Sequence, residues 1–162
     1  MDNSDDSFRA AKKVIDLIQN GSKNITQETE DKKKMPEITA FHSIKHHGFP
    51  KSWPIRVPSA YGNSYTIPTV DFNKLEREYK EHGKKILDKT EKMFEKEKIP
   101  IETRLIDDKK PEDYISEIVQ EENFDLVALG CKGEHSKLEE IFIGSIAHNA
   151  LNNVDADLLI VR

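Results

Sequence analysis

Two short runs near the end of the chain, Phe124–Leu129 (FDLVAL) and Leu158–Val161 (LLIV), are apolar, unbroken from Leu126 to Leu129 in the first and throughout the second. A half-buried strand alternates apolar with polar residues, so an unbroken run of this length reads as a strand covered on both faces. Between them, Ser145–Asn153 places Ile146, Ala147, Ala150 and Leu151 at helical spacing. Upstream, Ile99–Ile106 reads as a strand, and Pro111 suits the first turn of a helix reaching about Glu122. Strands alternating with helices imply a parallel sheet, right-handed crossovers and helices on both faces. The fold class expected is therefore α/β, a doubly wound parallel sheet sandwiched by helices.

The N-terminal half fits the same plan. A first helix spans about Ser4 to Asn20, with Phe8, Ala11, Ile15 and Ile18 on one face. Ser4 or Asp5 can accept its free N–H groups, and Gly21 is positioned to stop it. Ile38–Lys45 (ITAFHSIK) reads as a strand. A long helix runs from about Thr69 or Asp71 to Lys98, with Phe72, Leu75, Tyr79, Ile86 and Met93 along one stripe and Gly83 inside it. Residues 22–35 read as a polar loop. Residues 48–68 read as a second, irregular one, broken by Pro50, Pro54, Pro58 and Pro68 and carrying Phe49, Trp53, Tyr61 and Tyr65. The 162 residues make one domain, 1–162.

Composition narrows the function classes. A net charge of -5 leaves no excess of Lys and Arg to neutralise phosphates, which opposes nucleic-acid binding. No apolar stretch approaches the roughly 20 residues of a membrane helix. The acidic start, Met1-Asp2-Asn3-Ser4-Asp5-Asp6, is unlike a signal peptide. A single cysteine fits a cytoplasmic protein.

The chemistry concentrates in Leu129-Gly130-Cys131-Lys132-Gly133, followed after ten residues by Gly144-Ser145. Ligands of open α/β sheets bind at the carboxyl ends of strands, where this loop falls. Glycines let backbone N–H groups approach a phosphate, and a helix N-terminus favours an anion. Any one of these glycines alone reads as a turn residue. Three together, in strand–loop–helix order, read as a phosphate cradle.

These residues resemble the universal stress protein family, which carries Gly-x-x-Gly, nine residues, then Gly-Ser/Thr after its fourth strand. FDLVALGCKG, IFIGSIAHNAL and DADLLIVR match the surrounding family pattern, as does IPIETRLIDDKKPEDYISEIVQEENFDL. The resemblance implies a stress-response binding and signalling protein that holds ATP or a related adenine nucleotide, with Mg²⁺ alongside it. It implies that Gly130, Gly133, Gly144 and Ser145 hold phosphates, assisted by the amides of Lys132 and Ile146. It assigns Asp2 to the ribose and the region of Ser43 to the adenine. It further implies a homodimer paired through the C-terminal strand Asp157–Arg162.

Three departures stand beside this match. The Gly133–Gly144 spacing holds ten residues where the family has nine. Glu134, Glu139 and Glu140 occupy a loop where many members carry Lys or Arg, a charge that Mg²⁺ or Lys132 and Lys137 would offset. The family's central first strand, an apolar run just before the aspartate, is missing, which would expose two inner sheet edges. A start lying upstream, a strand from a partner and a rearranged sheet each account for this, and the upstream start is the preferred expectation.

Other features weigh less. His42, His46 and His47 lack a spacing that completes a metal ligand set. Cys131 reads as a small apolar filler before a redox sensor. Phe49 or Trp53 reads equally well as a lid over a base and as a ring buried by its own loop. No nucleophile and base can be assembled, so no catalytic residue is named. The alternative to nucleotide binding is a nucleotide-free dimerisation and interaction module. A hydrolase-like enzyme of the same wider fold is weaker, because Asn3-Ser4-Asp5-Asp6-Ser7 lacks the glycines its loop needs.

Overall fold

The computed structural model describes residues 1–23, 35–44, 56–58, 64–66, 72–131 and 143–162. In chain order the elements are α1 (Asp5–Lys23), β1 (Thr39–Ser43), β2 (Arg56–Pro58), β3 (Ser64–Thr66), α2 (Phe72–Lys96), β4 (Glu102–Ile106), α3 (Pro111–Glu122), β5 (Leu126–Gly130), α4 (Ser145–Asn153) and β6 (Asp157–Val161). β1 pairs with β4 and β5 with β6, both parallel. The parallel α/β architecture expected from the alternating strands and helices is the one observed.

Side-chain direction separates the two helical layers. Successive strand residues point to opposite faces. Phe41 of β1 meets Tyr114 of α3, with ring centroids 4.8 Å apart. Its neighbour His42 lies against the backbone of α2 at Gly83. α2 and α3 therefore cover opposite faces. α1 touches α2 and packs on β5 and β6, while α3 touches α4. The main apolar cluster joins Ala11 and Ile15 of α1 to Phe94 of α2 and Ile99, with Met1, Val14, Ile18, Ile38, Met93 and Ile101 around it.

Several boundaries differ from the sequence reading for local reasons. α1 continues through Gly21 to Lys23, so Gly21 does not terminate it. The strand expected from Ile99 begins at Glu102. The chain first turns at the end of α2, with Lys98 at φ 57° and the Ile99 N–H returning to the Phe94 carbonyl. The segment expected to be irregular contains the short antiparallel pair β2–β3, Arg56 opposite Thr66, with Pro58 confined to the end of its strand. The remainder of both predicted loops lies outside the described residues, along with Phe49 and Trp53.

The largest departure is in the sheet. Among the described residues β4–β1 and β5–β6 are separate two-stranded pairs, with no strand joining β1 to β5. The expected cover on β5 is correspondingly incomplete. Leu126 is 44% exposed, and Val127 to Gly130 are only half-buried. The gap falls where the sequence comparison placed the missing central strand.

Candidate functional site

At the carboxyl end of β5 two helix N-termini converge. A Cβ built on Gly130 would stand 2.7 Å from the Ser7 backbone nitrogen and 2.8 Å from the Asp6 carbonyl carbon, so α1 begins in contact with this glycine. On the other side, the Gly144 N–H donates to the Cys131 carbonyl at 2.8 Å, and the Cys131 N–H donates to the Val161 carbonyl at 2.7 Å. Those two bonds fix the start of α4 beside the ends of β5 and β6. Gly130, Gly144, Ser145 and Ile146 are thereby brought to one end of the sheet.

The two helix ends differ electrically. α1 is capped from its own sequence: the Ser7 N–H donates to the Ser4 hydroxyl at 3.1 Å, and that hydroxyl donates to Asp2 Oδ1 at 2.6 Å. Asp5 and Asp6 add negative charge to its first turn. α4 has Gly144 as its N-cap, no side-chain cap and no acidic residue in its first turn. Its first amides belong to Ser145, Ile146 and Ala147, and the helix dipole favours an anion there. Among the described residues α4 is thus the end without a side-chain acceptor, while α1 has supplied its own.

The remaining predicted residues are placed as follows. The Asp2 carboxylate accepts the Ser4 hydroxyl and, at 3.1 Å, the Ser4 N–H. Burial pushes its pKa up, but the hydrogen bonds from Ser4 and Ser7 and the nearby terminal ammonium outweigh that and hold it below the usual carboxylate value. The Ser43 hydroxyl is buried and donates to the Lys109 carbonyl at 2.7 Å, so it anchors the turn after β4. Lys132 and Gly133, with Glu134, Glu139 and Glu140, lie outside the described residues.

Three features here carry no signal in the sequence. Contact of α1 with Gly130 joins residues more than a hundred positions apart. The Met1 ammonium donates to the Phe41 carbonyl, and His42 Nδ1 meets the Met1 carbonyl. Burial pulls the Met1 amine down to about 6 against the opposing pull of Asp2. Burial also lowers the His42 pKa, more than its hydrogen bond to Met1 raises it, and the terminal ammonium and His82 lower it further.

A concavity of about 470 Å³ lies between α3 and α4, lined by Glu112, Asp113, Glu117 and Asn149 among others. Its carboxylates repel a phosphate, which makes it a poor place for an anion. Among the described residues no group of three His, Cys, Asp or Glu side chains is arranged to hold a metal, and no helix is long and apolar enough to cross a membrane.

Comparison with known proteins gives a consistent neighbourhood. The Universal stress protein family profile matches residues 59–162. Universal stress protein MJ0531 of Methanocaldococcus jannaschii is 31% identical over 83 residues, 51% of this chain and 48% of that protein. The chain thus spans about half the length of this curated relative. Among solved structures, the universal stress protein UspA of Lactobacillus plantarum superposes with a TM-score of 0.67 at 16% identity, covering 100% of this chain and 93% of that one. The universal stress protein of Archaeoglobus fulgidus in complex with dAMP gives a TM-score of 0.57 at 14% identity, covering 100% and 92%.

Proposed function

The chain belongs to the universal stress protein family, and from that premise we propose that it is a stress-response module binding ATP or a related adenine nucleotide at the β5–α4 junction. The observation that carries this reading is the uncapped N-terminus of α4, anchored through Gly144 to Cys131 beside Gly130. The N–H groups of a helix's first turn favour a phosphate, the charged part of any nucleotide. The dAMP held by the Archaeoglobus fulgidus relative supports adenine as the base.

In this reading the amides of Ser145 and Ile146 and the Ser145 hydroxyl take the phosphates, with Gly130, Lys132, Gly133 and Gly144 shaping the loop. Asp2 faces the ribose, and the β1 end near Ser43 lies toward the base. Asp2 is ionised near neutral pH and accepts hydrogen bonds, which suits sugar hydroxyls. The Ser43 hydroxyl already serves Lys109, so the base meets the backbone there. Mg²⁺ would offset the loop glutamates. The protein acts by binding, in the cytoplasm, and self-associates through the outer edge of β6, which has no neighbouring strand among the described residues.

The test is calorimetric titration of the intact chain with Mg-ATP, ADP and dAMP, beside Ser145→Pro. Proline suits the first helical position, and Gly144 at ψ 155° accepts a following proline, so the helix survives while one amide and one hydroxyl are lost. Affinity should fall at least about tenfold, as expected for lost hydrogen bonds to a charged group. Unchanged affinity in a folded Ser145→Pro protein would reject the site. Absence of binding by the unaltered chain would favour the nucleotide-free interaction module.

A further inference from the structure

Asn20 is the one asparagine in the sequence that is followed by glycine. Asparagine is among the thermolabile residues, and its side-chain carbonyl carbon lies one ring closure away from the next backbone nitrogen. A side chain on that next residue hinders the closure. Glycine has no Cβ and turns freely, so it does not. Within a helix the closure also requires the backbone to open, because a helical amide is committed to the carbonyl four residues back. Position along the helix therefore decides whether such a pair reacts.

α1 ends at Lys23, two residues beyond Gly21, so the pair lies in its last turn. Helix ends open at far lower cost than helix interiors. Asn20 and Gly21 are both exposed. Apart from its chain neighbours and the helix backbone, nothing lies within 4 Å of a Cβ built on Gly21. Solvent reaches the pair, and no neighbouring element clamps it. The asparagines of α4 are placed differently. Asn149 lies within the helix and is followed by the buried Ala150. Asn152 and Asn153 donate their side-chain amides to the carbonyls of His148 and Asn149, at 2.7 and 3.0 Å.

We propose that Asn20 is a deamidation site whose conversion releases the last turn of α1 from the end of α2. The Gly21 amide loses its proton to solvent and its nitrogen bonds to Asn20 Cγ. The Cγ–Nδ2 bond then breaks, and Nδ2 leaves as ammonia. Water opens the resulting succinimide at either carbonyl, giving aspartate or isoaspartate, with nothing oxidised or reduced. Isoaspartate carries the main chain through its side-chain carbons, and the added methylene breaks the helical hydrogen-bond register. Aspartate places a negative charge at the negative end of the helix dipole. Either product loosens a turn tied to the segment after α2, where Gln19 Nε2 donates to Glu97 at 2.6 Å. The same turn adjoins Ile18, which packs against the cluster of Ile15, Phe94 and Ile99.

The full chain, held in mildly alkaline buffer below its unfolding temperature, tests the site beside Gly21→Ala. Fragmentation mass spectrometry separates aspartate from isoaspartate and counts conversion residue by residue. Conversion at Asn20 should outpace that at Asn149 about tenfold or more, because the helix end opens more readily. Gly21→Ala keeps the helix, since its Cβ has room and alanine is the better helix former, and should slow Asn20 about tenfold or more. Amide hydrogen exchange over residues 19–23 should rise about tenfold in the converted chain relative to the fresh one. Equal rates at Asn20 and Asn149, or no slowing in Gly21→Ala, would overturn the site. Unchanged exchange after conversion would overturn the released turn.

Discussion

Gly130→Ala isolates the contact that builds the site. The added Cβ would stand 2.7 Å from the Ser7 nitrogen and 2.8 Å from the Asp6 carbonyl carbon, where ordinary contact begins at 3.4 Å. The start of α1 must withdraw by about 0.7 Å, the difference between 3.4 and 2.7. Both obstacles are backbone, so no rotamer change relieves them, and the cost belongs at the upper end of overpacking, about 2–3 kcal/mol. For a domain of this size that lowers Tm by about 4–12 °C. Thermal unfolding followed by circular dichroism, with urea midpoints as a second measure, reads the effect. A Tm within about 1 °C of the unaltered protein would refute the close approach of α1 to β5. Nucleotide affinity in this variant would report the displaced helix together with any lost phosphate contact, which is why Ser145→Pro is the cleaner probe of binding.

Gly83→Ala should lower stability by about 1–2 kcal/mol, measured by urea unfolding. Its Cβ would approach the His42 ring to 2.6 Å and Leu105 Cδ1 to 2.7 Å, and this outweighs the roughly 1 kcal/mol gained in helix propensity; a more stable variant would show that ring and leucine move aside freely. Acid should destabilise the protein before its carboxylates titrate. The Met1 amine has a folded pKa of about 6 against 8.0, so the unfolded chain binds more protons, and stability falls by roughly 1–3 kcal/mol as pH drops from 8 to 6. His42, also lowered, continues the loss below its ordinary 6.5, and the lowered Asp2 adds its own only below 3.8. Urea midpoints that stay level from pH 8 to pH 5.5 would contradict the burial of both bases.

Legibility followed the range of the interactions. α3 and α4 emerged nearly to the residue, because Pro111 sets one start and Gly144-Ser145 the other, and both signals are local. The cap of α1 was readable to within one residue: the sequence offered Ser4 or Asp5, and Ser4 takes the Ser7 N–H. The core of α2 was only partly visible. Its fully buried Thr90 satisfies its hydroxyl on the Ile86 carbonyl at 3.0 Å, and Gly83 is buried because His42 and Leu105 need the room. A polar residue and a helix-weakening one both look exposed until the strand across from them is known. At the candidate site, Gly130, Gly144, Ser145 and Ile146 were readable as a pattern. Occupation of the Asp2 and Ser43 oxygens by Ser4 and Lys109 was not, since it depends on turns placed by tertiary contact.

The divided sheet bears on the site as well as on stability. The β5–α4 junction is held by β6 through Val161, by the Cys131 carbonyl and by the start of α1, all on one side of the gap. Ser43 belongs to the other side, tied to the turn after β4, while Asp2 lies between, next to Met1 on the β1 side and bonded to Ser4 at the start of α1. The residues assigned to phosphate and to base are thus carried by two strand pairs that no backbone ladder joins among the described residues, with the residue assigned to ribose between them. A nucleotide spanning them would have to hold them in register, which costs ordering entropy at the moment of binding.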